Sequence, residues 1–228
     1  MRGPGDDDGS RPADWLRWFV QTDDGTVSFV REVLGSVLAV ALVGMLLFAV
    51  SGLWPPMVAV ESGSMNPHLQ RGDLVFVMEE HRLAPSAAHG TTGVVTYQTG
   101  KQTGYVKFHE PGDVIVYRRD GIRGGTPIIH RARFWVNDSE NWYDKANPDY
   151  IGGAKACELD DDPATDTGLP NCPAPHAGFI TKGDNTVTNR RYDQVSGLSG
   201  IVRPSWVVGT AEVRIPYLGY VRLLFGQL

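Results

Sequence analysis

Between Glu32 and Glu61 the chain carries no charged residue for 28 positions, and residues 33–53 are almost wholly Val, Leu, Ala, Gly, Met and Phe. A helix needs ~20 such residues to cross the hydrocarbon core of a bilayer, where each backbone N–H and C=O must be satisfied within the segment. The run therefore predicts a transmembrane helix over 32–54. Pro55 and Pro56 close it, because proline lacks the amide donor and restricts the residue before it. A cleavable signal sequence has an apolar core of ~7–15 residues and a small-x-small cut site. This run is longer, begins at residue 33 and lacks such a site before the prolines, so it reads as a permanent anchor.

Positive charge near the two ends sets the expected orientation. Arg11, Arg17 and Arg31 precede the run, and only Arg71 follows it within about twenty residues. The N-terminus is expected in the cytoplasm and the bulk of the chain beyond the membrane. Residues 1–31 form the expected cytoplasmic tail. Its first thirteen residues are too rich in Gly, Asp, Pro and Ser to order themselves. Residues 14–20, with Trp15 and Trp18, look like a short amphipathic helix suited to the interface.

After residue 57 the pattern changes to short β-branched runs separated by Gly and Pro. Residues 74–77, 93–97, 113–117, 133–136 and 207–213 are the clearest. Runs of this kind predict a mainly β, barrel-like domain over 57–228. Two polar stretches, 79–104 and 137–177, read as insertions. The second holds Asp160-Asp161-Asp162 and both cysteines, Cys157 and Cys172. A disulfide between them is reasonable if this part lies outside the cytoplasm, and two free thiols remain the alternative. Neither cysteine sits in a zinc-ligand pattern, so no metal is expected. The apolar tail from Ile215 to Phe225 is too short to span, and either packs on the sheet or dips into the interface. A net charge of −5, with no basic run longer than a pair, argues against a nucleic-acid partner.

Ten residues beyond Trp54, where the apolar run ends, stands Ser64, within Glu61-Ser62-Gly63-Ser64-Met65-Asn66-Pro67. A serine hydroxyl is a poor nucleophile until a base is hydrogen-bonded to it. His130, in Ile128-Ile129-His130-Arg131, is the candidate base, because its unperturbed pKa of ~6.5 suits proton transfer near neutrality. Gly63 lets a substrate backbone approach closely. The peptide N–H of Ser64 and the hydroxyl of Ser62 are candidates for stabilising an oxyanion. A histidine base gains from a carboxylate that fixes its tautomer, and Asp184 and Asp193 are the candidates.

The Ser-Gly-Ser-Met-x-Pro segment after a spanning helix resembles the nucleophile motif of type I signal peptidases. The resemblance continues through Gly72-Asp73-Leu74-Val75, Gly112-Asp113-Val114-Ile115-Val116-Tyr117, His130-Arg131 and Lys182-Gly183-Asp184-Asn185, in the family's order. Where the bacterial enzymes carry a lysine base, this sequence has His130, so it resembles the archaeal and endoplasmic-reticulum kind. That kind has two acids about six residues apart, the later one orienting the histidine. Here Asp184 and Asp193 are nine apart, with Arg190-Arg191 between them. Asp193 is taken as the orienting acid and Asp184 as a supporting one.

What the resemblance implies is a membrane-anchored serine endopeptidase that removes signal peptides from exported pre-proteins and needs no cofactor. Its partners would be those signal peptides, the lipid bilayer and the protein-translocation machinery. Two other readings stand beside it. One is a Ser/Lys endopeptidase using Lys107. The other is a non-catalytic membrane-anchored β-domain that recognises export substrates. His109 is a second competing base without a family match. His68 stands where the family usually carries a small hydroxyl residue.

Overall fold

The computed structural model describes residues 12–157 and 168–225. The expected disorder of the first residues and the Asp160–Asp162 run fall outside the described residues. The chain divides into two compact units between Ala49 and Val50.

The first unit is helical. Helix α1 (Pro12–Gln21) covers the segment read as amphipathic, and α2 (Gly25–Ser51) contains the apolar run. Asp24 opens α2 by accepting hydrogen bonds from the N–H groups of Thr26 (2.9 Å) and Val27 (3.2 Å), satisfying donors that a helix start leaves unpaired. Helix α2 has 27 residues, and its most apolar 18-residue window has a mean hydropathy of 2.7, so it is long and apolar enough to cross a membrane. The helix begins several residues before the apolar run and stops at Ser51, three short of the expected end. Gly52 explains the stop: its φ of 77° is left-handed and cannot continue a helix.

The second unit is built on a six-stranded antiparallel sheet. Its strands are β1 (Met57–Ala59), β2 (Leu74–Met78), β5 (Val114–Tyr117), β6 (Ile128–Val136), β7 (Gly178–Lys182) and β8 (Val207–Ile215). They lie in the order β1-β2-β8-β5-β6-β7, while β3 (Val106–Lys107) and β4 (Glu110–Pro111) form a separate two-stranded ladder. The mainly β class agrees with the sequence pattern, but the sheet does not close into the expected barrel. Closure needs the last strand to pair with the first. Instead the outer edge of β7 is taken by Val202, which exchanges backbone hydrogen bonds with Phe179 at 2.9 and 3.0 Å.

One expectation needs correction in detail. Residues 93–97 do not form a strand. Val94 and Val95 are fully buried, but Val95 exchanges hydrogen bonds with Asp113, donating to its carboxylate and accepting from its N–H. Thr96 then caps a short helix, α3 (Tyr97–Thr103), by accepting from the Thr99 N–H. The stretch 137–177, read as an insertion, contributes to the core. Its Trp142, Ile151, Leu169 and Ala174 pack with Phe134, Ile180, Tyr192 and Ile201 into one buried cluster, and Cys157 and Cys172 are disulfide-bonded beside it. The opposite end of the sheet has a second core, in which Met65, Leu69, Val75, Val77, Val114 and Val116 pack together.

After β8 the tail forms helix α5 (Gly219–Phe225), which lies against β1 and β2. Gly72 makes room for it. A Cβ there would meet the Tyr220 ring at 2.1 Å, and its φ of 89° already favours glycine.

Candidate active site

The Ser64 loop is a tight turn fixed from both sides. Across its base Gly72 N–H donates to the Val60 carbonyl and Val60 N–H to the Asp73 carbonyl, and Asn66 N–H donates to the Gly63 carbonyl. The segment 183–185 holds its tip. Asn185 N–H donates to the Ser64 carbonyl at 2.9 Å, and the Asn185 side chain donates to the Gly63 carbonyl at 2.8 Å. Gly183 is required by this contact, since a Cβ on it would stand 2.6 Å from the Ser64 carbonyl oxygen. Ser62 Oγ donates to Ser64 Oγ at 3.2 Å.

His130 lies on β6 opposite Ile115, and its ring is almost wholly buried. Its Nδ1 meets Asp193 Oδ2 at 2.7 Å. Asp193 is the first residue of α4 (Asp193–Ser196) and is itself buried. The same oxygen accepts from Tyr117 Oη (2.9 Å) and Thr181 Oγ1 (2.7 Å). Burial, and then the charge of Asp193, push the Tyr117 hydroxyl well above its ordinary range, so it stays a donor. A carboxylate beside Nδ1 places the proton there, which leaves the Nε2 lone pair to accept from another group. Ser62, Ser64 and His130 line a single cavity of about 860 Å³, whose other walls include Val58, Val60 and Ile129.

Asp184 does not touch His130. It receives a fork from Arg131, with Nε to Oδ1 at 2.9 Å and Nη2 to Oδ2 at 2.6 Å, and it meets His68 Nδ1 at 2.9 Å. Burial alone would raise this carboxyl, but the hydrogen bonds and charge of Arg131, followed by His68, hold it below the usual carboxylate range. Arg131 is fully buried and spends its remaining N–H on the Gly112 and Lys107 carbonyls. Asp184, expected as a supporting acid, thus lies behind the Ser64 loop, where its N–H also reaches Met65 Sδ.

Lys107 is placed elsewhere. It pairs with Glu212 and lines a smaller cavity of about 280 Å³, with Tyr105 and Asp113, that shares no residue with the Ser64 cavity. His109 stacks against His68 with ring centroids 6.4 Å apart. Among the described residues, one group brings three metal-ligating atoms within 4.8 Å of one another: Glu79, Glu80 and His81. It lies outside the Ser64 cavity, and His81 already bonds Glu79 and the Thr91 carbonyl. Sequence reasoning missed Tyr117 and Thr181. Both stand inside or beside the blocks it singled out, but nothing in a strand sequence tells which buried hydroxyl will face a carboxylate.

A serine and a carboxylate-paired histidine facing one cleft are the arrangement of a serine hydrolase. No protein-family profile matches the chain. Its similarity to individual proteins is extensive. It is 28% identical over 211 residues to the signal peptidase complex catalytic subunit sec11 of Aspergillus oryzae, covering 88% of this chain and 85% of that protein. The subunit of the same name from Uncinocarpus reesii is 27% identical over 219 residues, covering 88% and 86%. That from Arthroderma otae is 28% identical over 174 residues, covering 75% and 68%. The chain is thus similar over most of its length to type I signal peptidases of the endoplasmic-reticulum kind, which are serine endopeptidases.

Proposed function

We propose that this chain cleaves signal peptides from exported pre-proteins at the outer surface of a membrane, with Ser64 as nucleophile and His130 as general base. The observation that carries the reading is the 2.7 Å contact between His130 Nδ1 and Asp193, in a cavity that Ser64 also lines. In the proposed reaction Ser64 Oγ attacks the scissile carbonyl while His130 Nε2 takes its proton. The tetrahedral oxyanion is met by the Ser64 N–H and the Ser62 hydroxyl. His130 then returns the proton to the leaving amine, and water repeats the sequence on the acyl-enzyme. Asp193 holds the ring in the tautomer with Nδ1 protonated and stabilises the imidazolium as it forms.

The anchor supplies the selectivity. A signal peptide's apolar segment ends near the membrane surface and carries small residues at its cut. A domain covalently joined to a membrane anchor meets that bond at high effective concentration. Residues 1–31 are assigned to the cytoplasm, α2 to a single span, and residues 57–228 to the catalytic domain beyond the membrane, following the arginine count. The ion pair of Lys107 with Glu212 leaves the Ser/Lys reading without a supporting contact.

Membranes carrying the wild type, Ser64→Ala or His130→Ala, incubated with a labelled secretory precursor, test the assignment. Wild-type membranes should release the signal peptide and both variants should lose this. Retained cleavage by Ser64→Ala would overturn the mechanism.

A further inference from the structure

Arg133 takes no part in the chemistry proposed above, and its setting is unusual. Strand β6 runs in register with β7 to Ala132, opposite Thr181, and resumes at Phe134, opposite Ile180. Arg133 is therefore the extra residue of a β-bulge, a device that re-aims one side chain out of the strand's alternation. Its guanidinium lies over the Tyr97 ring, 3.7 Å from the centroid, and 5.9 Å from that of Tyr150. Lys182 Nζ stands 4.5 Å from the same Tyr150 centroid. Burial, and then the charge of Arg133, push Lys182 below its ordinary range. Among the described residues no carboxylate pairs with Arg133.

Arg133, Tyr97 and Tyr150 line a cavity of about 400 Å³ with Gln98, Gln102 and Lys101. Among the described residues no Asp or Glu lines it, and none of them lines both it and the Ser64 cavity. Lys145, also on its wall, is already engaged by Glu140. Lys182 is not on the cleft wall: its ammonium donates to the Gly183 carbonyl and feels the charges of Asp184 and Asp193, which leaves Arg133, unpaired with any carboxylate among the described residues, to attract an anion. A guanidinium stacked on a ring keeps its N–H edge free, and that edge matches a carboxylate bidentately. The glutamine amides beside it suit peptide N–H and C=O groups.

We propose that this cleft binds an acidic side chain of an extended polypeptide, with Arg133 as the carboxylate fork and Tyr97 as its platform. A single half-buried fork fits one carboxylate better than a phosphate, which favours several converging cations. The site is separate from the Ser64 cleft and does not depend on the peptidase assignment.

Fluorescence anisotropy on the full chain in detergent, carrying Ser64→Ala so that no peptide is cut, tests it. The probes are a labelled peptide containing Asp and Glu and its twin with Asn and Gln. The acidic peptide should bind about tenfold or more tighter than its twin, as expected for a charge-assisted bidentate contact. Adding Arg133→Gln should remove that preference, and Arg133→Lys should keep part of it. The twin comparison uses the unaltered cleft, so it stands even if Arg133→Gln fails to fold. Equal binding of the two peptides, or a preference that survives Arg133→Gln, would overturn the site. Inorganic phosphate displacing the acidic peptide at lower concentration than glutamate does would overturn the carboxylate ligand.

Discussion

The side chains of Asp184 and Asp193 are both buried, and each takes a partner from neighbouring residues of β6, yet the two pairs are built differently. Successive residues of a strand point to opposite faces, so Arg131 and His130 are delivered to different carboxylates. Asp184 meets a guanidinium that never loses its charge, through a two-pronged fork. Asp193 meets an imidazole whose charge can change, through one oxygen that also accepts from Tyr117 and Thr181. The first pair holds the segment behind the nucleophile loop in place. In the proposed mechanism the second holds a proton at Nδ1 while Nε2 gains and loses one. A permanent charge makes a strut, and a titratable one makes a proton carrier.

Replacing each acid in turn separates the two roles. Asp193→Asn should lower signal-peptide cleavage by about 10³- to 10⁴-fold, because the wrong tautomer of His130 then becomes available. Its melting temperature should move little, since an amide oxygen can still accept from the neighbouring hydroxyls. Asp184→Asn leaves Arg131 buried without its counter-charge and should cost about 3–5 kcal/mol of stability. Thermal melts paired with single-turnover cleavage rates check both. A variant pair with the effects exchanged, Asp184→Asn folded but inactive and Asp193→Asn active but unstable, would break the comparison.

The sequence carried much of this and withheld a definable part. The spanning run needed only length and absence of charge, and the β class needed only the alternation of β-branched runs with turn residues. Both are local properties. Ser64 and His130 were marked by their blocks, but the contact that differs between Asp184 and Asp193 was not. Their nine-residue separation is consistent with either facing His130. What decides it is the tight path from Asn185, held to the Ser64 carbonyl, to Asp193 at the start of α4. Closure of the sheet was illegible for the same reason. Whether β7 meets β1 or Val202 depends on where a distant segment lands. The 93–97 run misled because Asp113 offered Val95 a side-chain partner where a strand would offer backbone.

Acid titration sharpens the contrast from the Asp184 side. Its native pKa lies below the ordinary value. The stability it contributes is therefore fully present above about pH 4, the unfolded carboxylate value, and is lost as pH falls through the lower native one. Asp113 has the opposite sign, because burial, against its hydrogen bonds from Val95 and Tyr105, pushes it up to about 6. Its contribution is present below about pH 4 and lost as pH rises through 6. Urea midpoints between pH 3 and 7 should show Asp184→Asn removing part of the acid-side loss and Asp113→Asn removing part of the loss on the neutral side. A wild-type profile flat across that range would contradict both.

His68 is the smallest lever on the same strut. It meets the Asp184 oxygen that Arg131 Nη2 also holds, and its side chain is 17% exposed where Arg131 is fully buried. Water can therefore replace most of what His68 gives, whereas nothing can replace the guanidinium. His68→Ala should cost no more than about 1 kcal/mol, in line with partly exposed ion pairs, and change cleavage by less than about fivefold. The same melts and rates measure it. A loss comparable to that of Asp184→Asn would mean that His68, and not Arg131, fixes the loop behind Ser64.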